Sequence, residues 1–356
     1  MDGLRAATEA WLECLALSDA NPLFNDPYWA QEYAAARLSS EDVFGWTLRN
    51  GDGEVIAVLP FRHELPRSRF SLCRALLLAD GSFDSDYLDF PIRRGYEDQA
   101  LATCLDLLAG ERGLDAMVLS PIPSASETLK RLRPELERRG LPSRERTVEC
   151  CVAQLPATFE AYITGLKPRM RTKLRAALRT AEEQGFSFHW CDRADELDQH
   201  LEGLFQLHAM RWEAAGEEGS FREEGRCRFY RAVAQRFLKR GDLRFARLER
   251  DGEAIAYQFG PVVEGTYYQL QEGFHTDYMK ARVGIALRAL SLRHLIEEGV
   301  HAYDFMEGVS RHKTDWGAEV LHCTTIAFAL PRVRARLSYS ARSLIDRWWP
   351  PENPSL

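Results

Sequence analysis

The pattern of hydrophobic and polar positions predicts a mixed α/β fold with a largely antiparallel sheet. Apolar runs that end at turn residues predict strands in the second half of the chain, near 243–250, 254–263, 266–274, 302–306 and 320–330. A helix is predicted between two of these strands, near 283–298. Its apolar stripe has the spacing i, i+4, i+7, i+11 and consists of Ile285, Ala289, Leu292 and Ile296. Such a stripe is typical of a helix that packs on a sheet.

Three short segments occur twice in the same order, which predicts a duplicated architecture. The pairs are Asp52–Ala57 with Asp251–Ala256, Gly81–Leu88 with Gly273–Met279, and Glu111–Leu119 with Glu297–Phe305. The alternative is coincidence, because turn sequences share a composition. Duplication predicts an N-terminal domain at 1–150, a second domain at 151–331, and a basic C-terminal helix or tail at 332–356.

Composition limits the class of protein. The chain has 356 residues, 45% hydrophobic and 28% charged, which excludes wholesale disorder. The net charge of −7 means that an anionic ligand must be met by a local basic patch. The eight cysteines are scattered, and we expect reduced thiols. The first residues do not resemble a signal peptide, and no apolar run reaches the length of a membrane helix, so we expect a cytoplasmic protein without stable membrane insertion.

The two copies differ where the strand near 266–274 leads into the helix near 283–298. The second copy has a glycine and two cations at this junction, and free N–H groups at a helix start favour an anion. The first copy has proline and an acid here, at 91–97. An ordinary loop is the alternative interpretation. The predicted anion-binding residues are Lys280, Arg282, Val283, Gly284, Ile285 and Ala286.

The copies also differ after the late strand. The first copy continues as a plain proline turn at 120–123, whereas the second has a polar, glycine-containing loop at 306–317. Glu307, Lys313 and an exposed Trp316 are the candidate binding residues of this loop, although a structural role is the alternative for each. Arg211 and Trp212 form a further candidate clamp for an anion or a ring.

A basic helix is predicted near 167–179, with an apolar stripe beside a basic one. A solvated helix face is one interpretation, and a phosphate-binding face for a nucleotide-linked acceptor, a tRNA or a carrier protein is the other. Several chemistries lack their motifs. The sequence has no HExxH, no zinc-spaced Cys/His cluster, no GxSxG, no Walker A and no GxGxxG, so we expect no metal.

Taken together, these segments resemble the GNAT (Gcn5-related N-acetyltransferase) superfamily, and within it the tandem-domain FemAB and CelD-like branch, also labelled BioF-like. The resemblance covers nearly the full chain and is strongest over about 158–320. It rests on the basic helix Lys167–Arg179, Leu207–Trp212, Asp251–Ala256, Tyr267–Gln271, Lys280–Leu287, Tyr303–Gly308, Lys313 and Trp316. The superfamily signature has a leading Arg or Gln where this chain has Ala281, which leaves a carrier-protein or aminoacyl-tRNA donor open beside coenzyme A.

The resemblance implies two GNAT-like domains, of which the second binds the acyl donor between two splayed strands, 267–274 and 302–306. An amine would attack the thioester carbonyl there. The residues it makes candidates for catalysis are Glu272 as a base, Asp304, Lys313 as a donor, and Tyr268 or Tyr303 as an acid. Strand alternation predicts that Tyr268 and Glu272 share one face.

The function predicted from this resemblance is N-acyl transfer, in first place from acetyl-CoA to an amine on an amino sugar or polysaccharide precursor. Two alternatives stay open. One is a FemAB-type peptidyltransferase that uses aminoacyl-tRNA, although no long helical arm is visible in the sequence. The other is an inactive binding module with the same fold.

Overall fold

The computed structural model of the chain describes residues 2–66, 71–80, 84–214, 216 and 219–339. The described residues form two compact units. Unit 1 contains residues up to 148 and those from 322 onward, and unit 2 contains residues 149–321. The repeated segment at Gly81–Leu88 and the predicted tail at 332–356 lie partly outside the described residues, at 81–83 and 340–356, while residues 333–339 are helical.

Unit 1 begins with helices and continues into a sheet. Its elements are α1 Asp2–Ala6, α2 Thr8–Ala16, α3 Pro27–Arg37, β1 Val43–Arg49, β2 Val55–Glu64, β3 Arg74–Leu77, α4 Glu97–Gly110, β4 Ala116–Pro123, α5 Glu127–Arg138 and the start of β5 Ser143–Gln154. Strands β1 and β2 form an antiparallel hairpin, and β3 runs parallel to β4. The helix α4 connects these two parallel strands.

Unit 2 repeats this succession. Its elements are α6 Phe159–Gly165, α7 Pro168–Glu183, β6 Ser187–Trp190, α8 Leu197–Ala214, α9 Glu224–Arg240, β7 Leu243–Arg250, β8 Glu253–Val263, β9 Thr266–Tyr268, β10 Gln271–Phe274, α10 Val283–Glu297, β11 Ala302–Glu307, α11 Arg311–Asp315 and the start of β12 Glu319–Ala329. Its sheet has the order β5-β11-β9-β8-β7-β6, with β10 paired to β8. The parallel pair is β9 with β11, connected through α10.

The hairpin between β7 and β8 shows why the Asp-Gly pair predicted a turn. Asp251 and Gly252 have φ values of 54° and 83°. Two consecutive left-handed residues make the two-residue turn whose twist matches paired strands. In unit 1 the corresponding turn contains Gly53, with φ 85°, between the paired residues Arg49 and Val55.

The two strands at the unit boundary explain where the domains divide. From Cys323 onward, β12 pairs antiparallel with β4 of unit 1, and β5 pairs through Cys150–Gln154 with β11 of unit 2. The last strand, which the sequence analysis assigned to a domain at 151–331, therefore belongs to unit 1 from His322 onward. The mixed α/β class with a largely antiparallel sheet is confirmed.

The core of unit 2 lies where α10 packs on the sheet. Ala289, Leu292 and Leu295 of α10 are fully buried in a cluster that also contains Tyr267 and Tyr303. Each leucine that is buried in this way contributes about 2 kcal/mol. The apolar stripe of α7, which contains Met170 and Leu174, joins the same cluster. The core thus fixes the position of the α10 N-terminus against β10 and β11.

A cleft lined by a buried ion network in unit 2

The strands β9 and β11 are paired only at their start. Tyr267 and Tyr268 pair with Tyr303 and Asp304 in parallel register. The chain then bends, and the N–H of Gln269 donates to the carbonyl of Asp304 at 2.9 Å. The following strand β10 pairs with β8 instead. In the described residues β10 is therefore not paired with β11, and we call the region between these two strands the cleft.

The bend at Gln269 changes which tyrosine faces Glu272. Gln258 of β8 lies opposite Glu272 in the register, so the two side chains project to the same face of the sheet. The Gln258 amide donates to the Tyr267 hydroxyl at 3.3 Å, which brings Tyr267 to that face as well. The expectation that Tyr268 shares the face of Glu272 was wrong, because an irregular segment interrupts the strand alternation.

The helix α10 begins beside this cleft with an open N-terminus. Arg282 occupies the position before the helix with φ 58°, it contributes no side-chain cap, and the first turn contains no acid. Lys280 and Arg282 are exposed. Gly284 lies in the first turn, where an added Cβ would lie 3.3 Å from the Phe274 ring and 3.7 Å from Glu272 Oε1. This arrangement suits an anion, because backbone N–H groups and the helix dipole point outward there.

The side chains of the other residues predicted for the anion site are buried or half-buried. Val283 and Ala286 are buried in the core, and Ile285 is half-buried beside them. The N–H groups of Ile285 and Ala286 donate to the carbonyl of Arg282 at 2.9 and 3.0 Å, so a ligand at the helix start would meet the backbone N–H groups of Val283 and Gly284.

Glu272 is the centre of a buried ion network. Its carboxylate is paired with Arg288 of α10 at 2.5 Å and with Arg211 of α8 at 3.7 Å. The side chains of Glu272 and Arg288 are 6% and 3% exposed. Burying such a pair is costly unless further contacts satisfy both groups, so a network of this kind is more often functional than stabilising.

Arg288 connects Glu272 to the loop after β11. One of its Nη atoms contacts Nε2 of His312. Its guanidinium also lies 5.6 Å from the Phe305 ring centre and 5.2 Å from the Trp316 ring centre, distances typical of cation–π contacts. The charge on Arg288 is thereby held by a carboxylate on one side and by two aromatic rings.

Trp316 does not offer the exposed ring that the sequence analysis expected. Its side chain is 1% exposed, because it packs against Arg288 and in the core of unit 2. The expectation of an exposed Trp316 was wrong. A loop that looks polar in the sequence folds its one large apolar residue inward, since burial of an indole contributes more than any surface contact.

Lys313 and Asp304 both shape the end of β11. The Lys313 ammonium donates to the carbonyls of Met306 and Glu307, at 3.1 and 2.6 Å. The buried carboxylate of Asp304 accepts the N–H of Met306 at 2.7 Å, where the backbone turns with φ 63°. Lys313 and Asp304, two of the predicted catalytic residues, thus stabilise the loop that follows β11.

The remaining predicted residues lie around the same cleft. Tyr303 is fully buried and donates from its hydroxyl to Gln269 at 2.7 Å, and burial raises its pKa well above the usual value. Arg211 lies 5.3 Å from the Trp212 ring centre, and the Trp212 N–H donates to His208 at 2.9 Å. Glu307 is exposed, and its main-chain carbonyl accepts a hydrogen bond from Lys313.

Sequence reasoning missed two residues of the network, Arg288 and His312. A signal for the first was present, because Arg288 is the only charged residue in the otherwise uncharged stretch from Val283 to Leu292, and a lone charge on a buried helix face needs a partner. His312 had no such signal, since its role depends on where α11 folds.

The basic helix α7 turns most of its cations outward. Its N-terminal flank and outer face expose Lys167, Arg169, Lys173, Arg175 and Arg179. Among them, Arg175 is paired with Glu160 at 3.0 Å. The eight cysteines are free thiols, as expected. Within the described ranges no cluster of His, Cys, Asp and Glu is arranged to hold a metal ion, and no helix is long and apolar enough to cross a membrane.

The family comparison agrees with this geometry. Residues 168–314 match the family model described as acetyltransferase (GNAT) domain. This segment contains the parallel pair, the open N-terminus of α10 and the ion network. The matched segment lies within unit 2, so the similarity to a GNAT acetyltransferase domain concerns that unit and its mixed α/β fold. No curated protein matched the sequence.

Solved structures share the fold at low sequence identity. A structure of FemX has a TM-score of 0.62 at 12% identity, covering 89% of this chain and 95% of its own. L-PGS from Bacillus licheniformis has a TM-score of 0.54 at 14% identity, covering 96% and 95%. The C-terminal domain of a putative lysylphosphatidylglycerol synthetase from Agrobacterium fabrum has a TM-score of 0.53 at 12% identity, covering 96% and 97%. These likenesses concern the fold alone.

Proposed function

We propose that the protein is an N-acyltransferase that moves an acyl group, in first place acetyl from acetyl-CoA, to an amine. The observation that carries this proposal is the open N-terminus of α10 beside the cleft between β10 and β11, within the segment that matches the GNAT domain. The donor's phosphates would lie at Gly284 with Lys280 and Arg282 nearby. Its thioester would enter the cleft.

The reaction forms a C–N bond and breaks a C–S bond. The acceptor amine attacks the carbonyl carbon and loses a proton, a negative charge develops on the carbonyl oxygen, and the leaving thiolate takes up a proton. Glu272 lines the cleft and is the candidate to receive the proton through water. Tyr303 and Tyr268 are the candidates to return one to the thiolate.

The proposed acceptor is an amine on an amino sugar or a polysaccharide precursor. The loop after β11 would meet it, with Glu307 and Lys313 as the candidate polar residues. Arg211 and Trp212 border the cleft from α8 and add a cation and a ring. The location of the reaction would be the cytoplasm, where acetyl-CoA is available.

A second candidate is acyl or aminoacyl transfer from a tRNA or an acyl-carrier protein. The exposed cations of α7 favour it, because a row of solvated basic side chains attracts a polyanion. Lys173 of this helix lies within electrostatic range of His312, so the basic face extends toward the cleft.

Mass spectrometry can decide between these donors. The full chain is incubated with metabolite extract and either isotope-labelled acetyl-CoA or a mixture of aminoacyl-tRNAs, and the labelled products are identified. We expect label from acetyl-CoA in a small amine, and much less label at the same donor concentration in a reaction with the Gly284→Asp variant. Label only from aminoacyl-tRNA supports the second candidate, and no label from either donor contradicts acyl transfer.

A further inference from the structure

The contact between Arg288 and His312 fixes where the imidazole carries its proton. A guanidinium has only N–H donors and no acceptor. Because an Nη atom of Arg288 contacts Nε2 of His312, that ring nitrogen must be the acceptor. The imidazole is then neutral, and its proton is on Nδ1.

Arg288 is held firmly enough to impose this tautomer. It is 2% exposed, paired with Glu272, and enclosed by Phe305 and Trp316. His312 itself is an exposed residue of α11, so its side chain can be reached from solvent.

The charged groups around His312 act in the same direction. Partial burial of the ring and the charge of Arg288 lower the pKa of His312 to about 4, with smaller contributions of the same sign from Lys173 and Arg211 and an opposing one from Glu272. The Arg288 cation lies directly on the nitrogen that would have to be protonated.

We propose that His312 donates a hydrogen bond from Nδ1–H to the oxygen that becomes negative during acyl transfer, and that Arg288 is its positioning residue. This rests on the proposed function. The donor site and His312 are connected through the network, because Glu272 lies next to Gly284, where an added Cβ would be 3.7 Å from its Oε1, and Arg288 contacts both Glu272 and His312. A cation bonded to Nε2 polarises the ring and strengthens the Nδ1–H donor, and a fixed donor of this kind stabilises a developing oxyanion.

The tautomer can be tested without any substrate. The full chain is labelled with ¹⁵N-histidine, and long-range proton–nitrogen correlation spectra at pH 7 report which nitrogen of each ring is protonated. His312 is assigned from its absence in His312→Gln. We expect an Nδ1–H tautomer for His312 that becomes a mixture in Arg288→Met. An Nε2–H or doubly protonated ring in the wild type overturns the proposal.

Two variants separate the donor from the acceptor. In His312→Asn the side-chain amide N–H replaces Nδ1–H, and in His312→Gln the amide oxygen replaces Nε2 as the acceptor for Arg288. We expect kcat to fall about a hundredfold or more in His312→Gln and less than about tenfold in His312→Asn, which corresponds to losing or keeping one oxyanion contact. Acetyl-CoA binding, measured by calorimetry, should stay unchanged in both.

The pH profile distinguishes a donor from a base. If His312 is a neutral donor, kcat/KM should fall at low pH in the same way in the wild type and in His312→Asn. If His312 is a base, the wild type should show a fall at low pH that is absent in His312→Asn. Equal losses of kcat in the two variants, or an acid limb that only His312 supplies, contradict the donor role. A wild-type protein that transfers no acyl group from any donor contradicts the proposed function and the catalytic role together, while the tautomer experiment still reports on Arg288.

Discussion

The helix that connects the parallel strands begins in opposite ways in the two units. In unit 1 the first turn of α4 carries Glu97 and Asp98, and the Glu97 carboxylate accepts the N–H of Gly95 at 3.0 and 2.9 Å. In unit 2 the first turn of α10 has no acid and no side-chain cap. The start of α4 is therefore acidic and capped by its own Glu97 carboxylate, whereas the start of α10 is flanked by cations and has no side-chain cap. Fold alone does not make an anion site.

One buried carboxylate in each unit shows a related contrast. In unit 1, Asp89 is buried and held by hydrogen bonds from Ser126 and from the N–H of Phe90, without a described cation in contact. In unit 2, Glu272 is buried beside two arginines. A buried carboxylate held only by neutral donors fixes a fold, whereas one beside two cations forms a charged network of the kind found at functional sites.

The largest expected effect is on the network of unit 2. Arg288→Met leaves Glu272 buried with only the more distant Arg211, and we expect the free energy of unfolding to fall by about 3–5 kcal/mol. Arg244→Met is the matched control, because Arg244 pairs with Glu298 on the surface and should cost under about 1 kcal/mol. Urea unfolding measures the free energy of unfolding of both variants. Equal losses in the two would mean that Glu272 does not depend on Arg288 as described.

A pH dependence of stability is expected from unit 1. Burial raises the pKa of Asp89 from 3.8 to about 6, so the folded state holds this proton between those values while the unfolded state releases it. The resulting stabilisation is complete below about pH 4 and is lost as the pH rises through 6, by about 3 kcal/mol. Asp89→Asn should remove this difference in urea unfolding at pH 4 and pH 7. The exposed Asp98→Asn should retain it, and a pH dependence that persists in Asp89→Asn would contradict the assignment.

A smaller effect is expected at the end of β11, where unit 1 has a proline turn. Lys313→Met removes two charge-assisted hydrogen bonds to backbone carbonyls, and we expect a loss of about 2 kcal/mol together with faster amide hydrogen exchange in residues 306–310. If Lys313 also contacts the acceptor, turnover should fall about a hundredfold. Unchanged exchange in this loop would show that the lysine does not restrain it.

Much of the fold could be predicted because local rules decided it. The predicted strand at 243–250 is β7, and the predicted helix near 283–298 is α10, since periodicity and the flanking turns agree there. The duplicated hairpins followed from Asp-Gly turns, whose left-handed residues are visible at Asp251 and Gly252.

The site could be predicted only in part, because its geometry depends on tertiary structure. The bend at Gln269 and Leu270 divides one predicted strand into β9 and β10 and exchanges the faces of Tyr267 and Tyr268. Trp316 and Lys313 lie in a loop whose fold is set by core packing and by carbonyl acceptors rather than by spacing along the chain. Glu272 was identified from the sequence, but its partner Arg288 was not.

Calorimetry with acetyl-CoA tests the central claim, that unit 2 alone binds the donor at the start of α10. The wild type should bind one molecule per chain. Gly284→Asp should weaken binding about tenfold or more, because a carboxylate enters the helix start next to Glu272, whereas Gly284→Ala adds only a methyl group beside the Phe274 ring and should weaken it less. Binding of two molecules per chain, or the same affinity in a folded Gly284→Asp protein, would contradict the account.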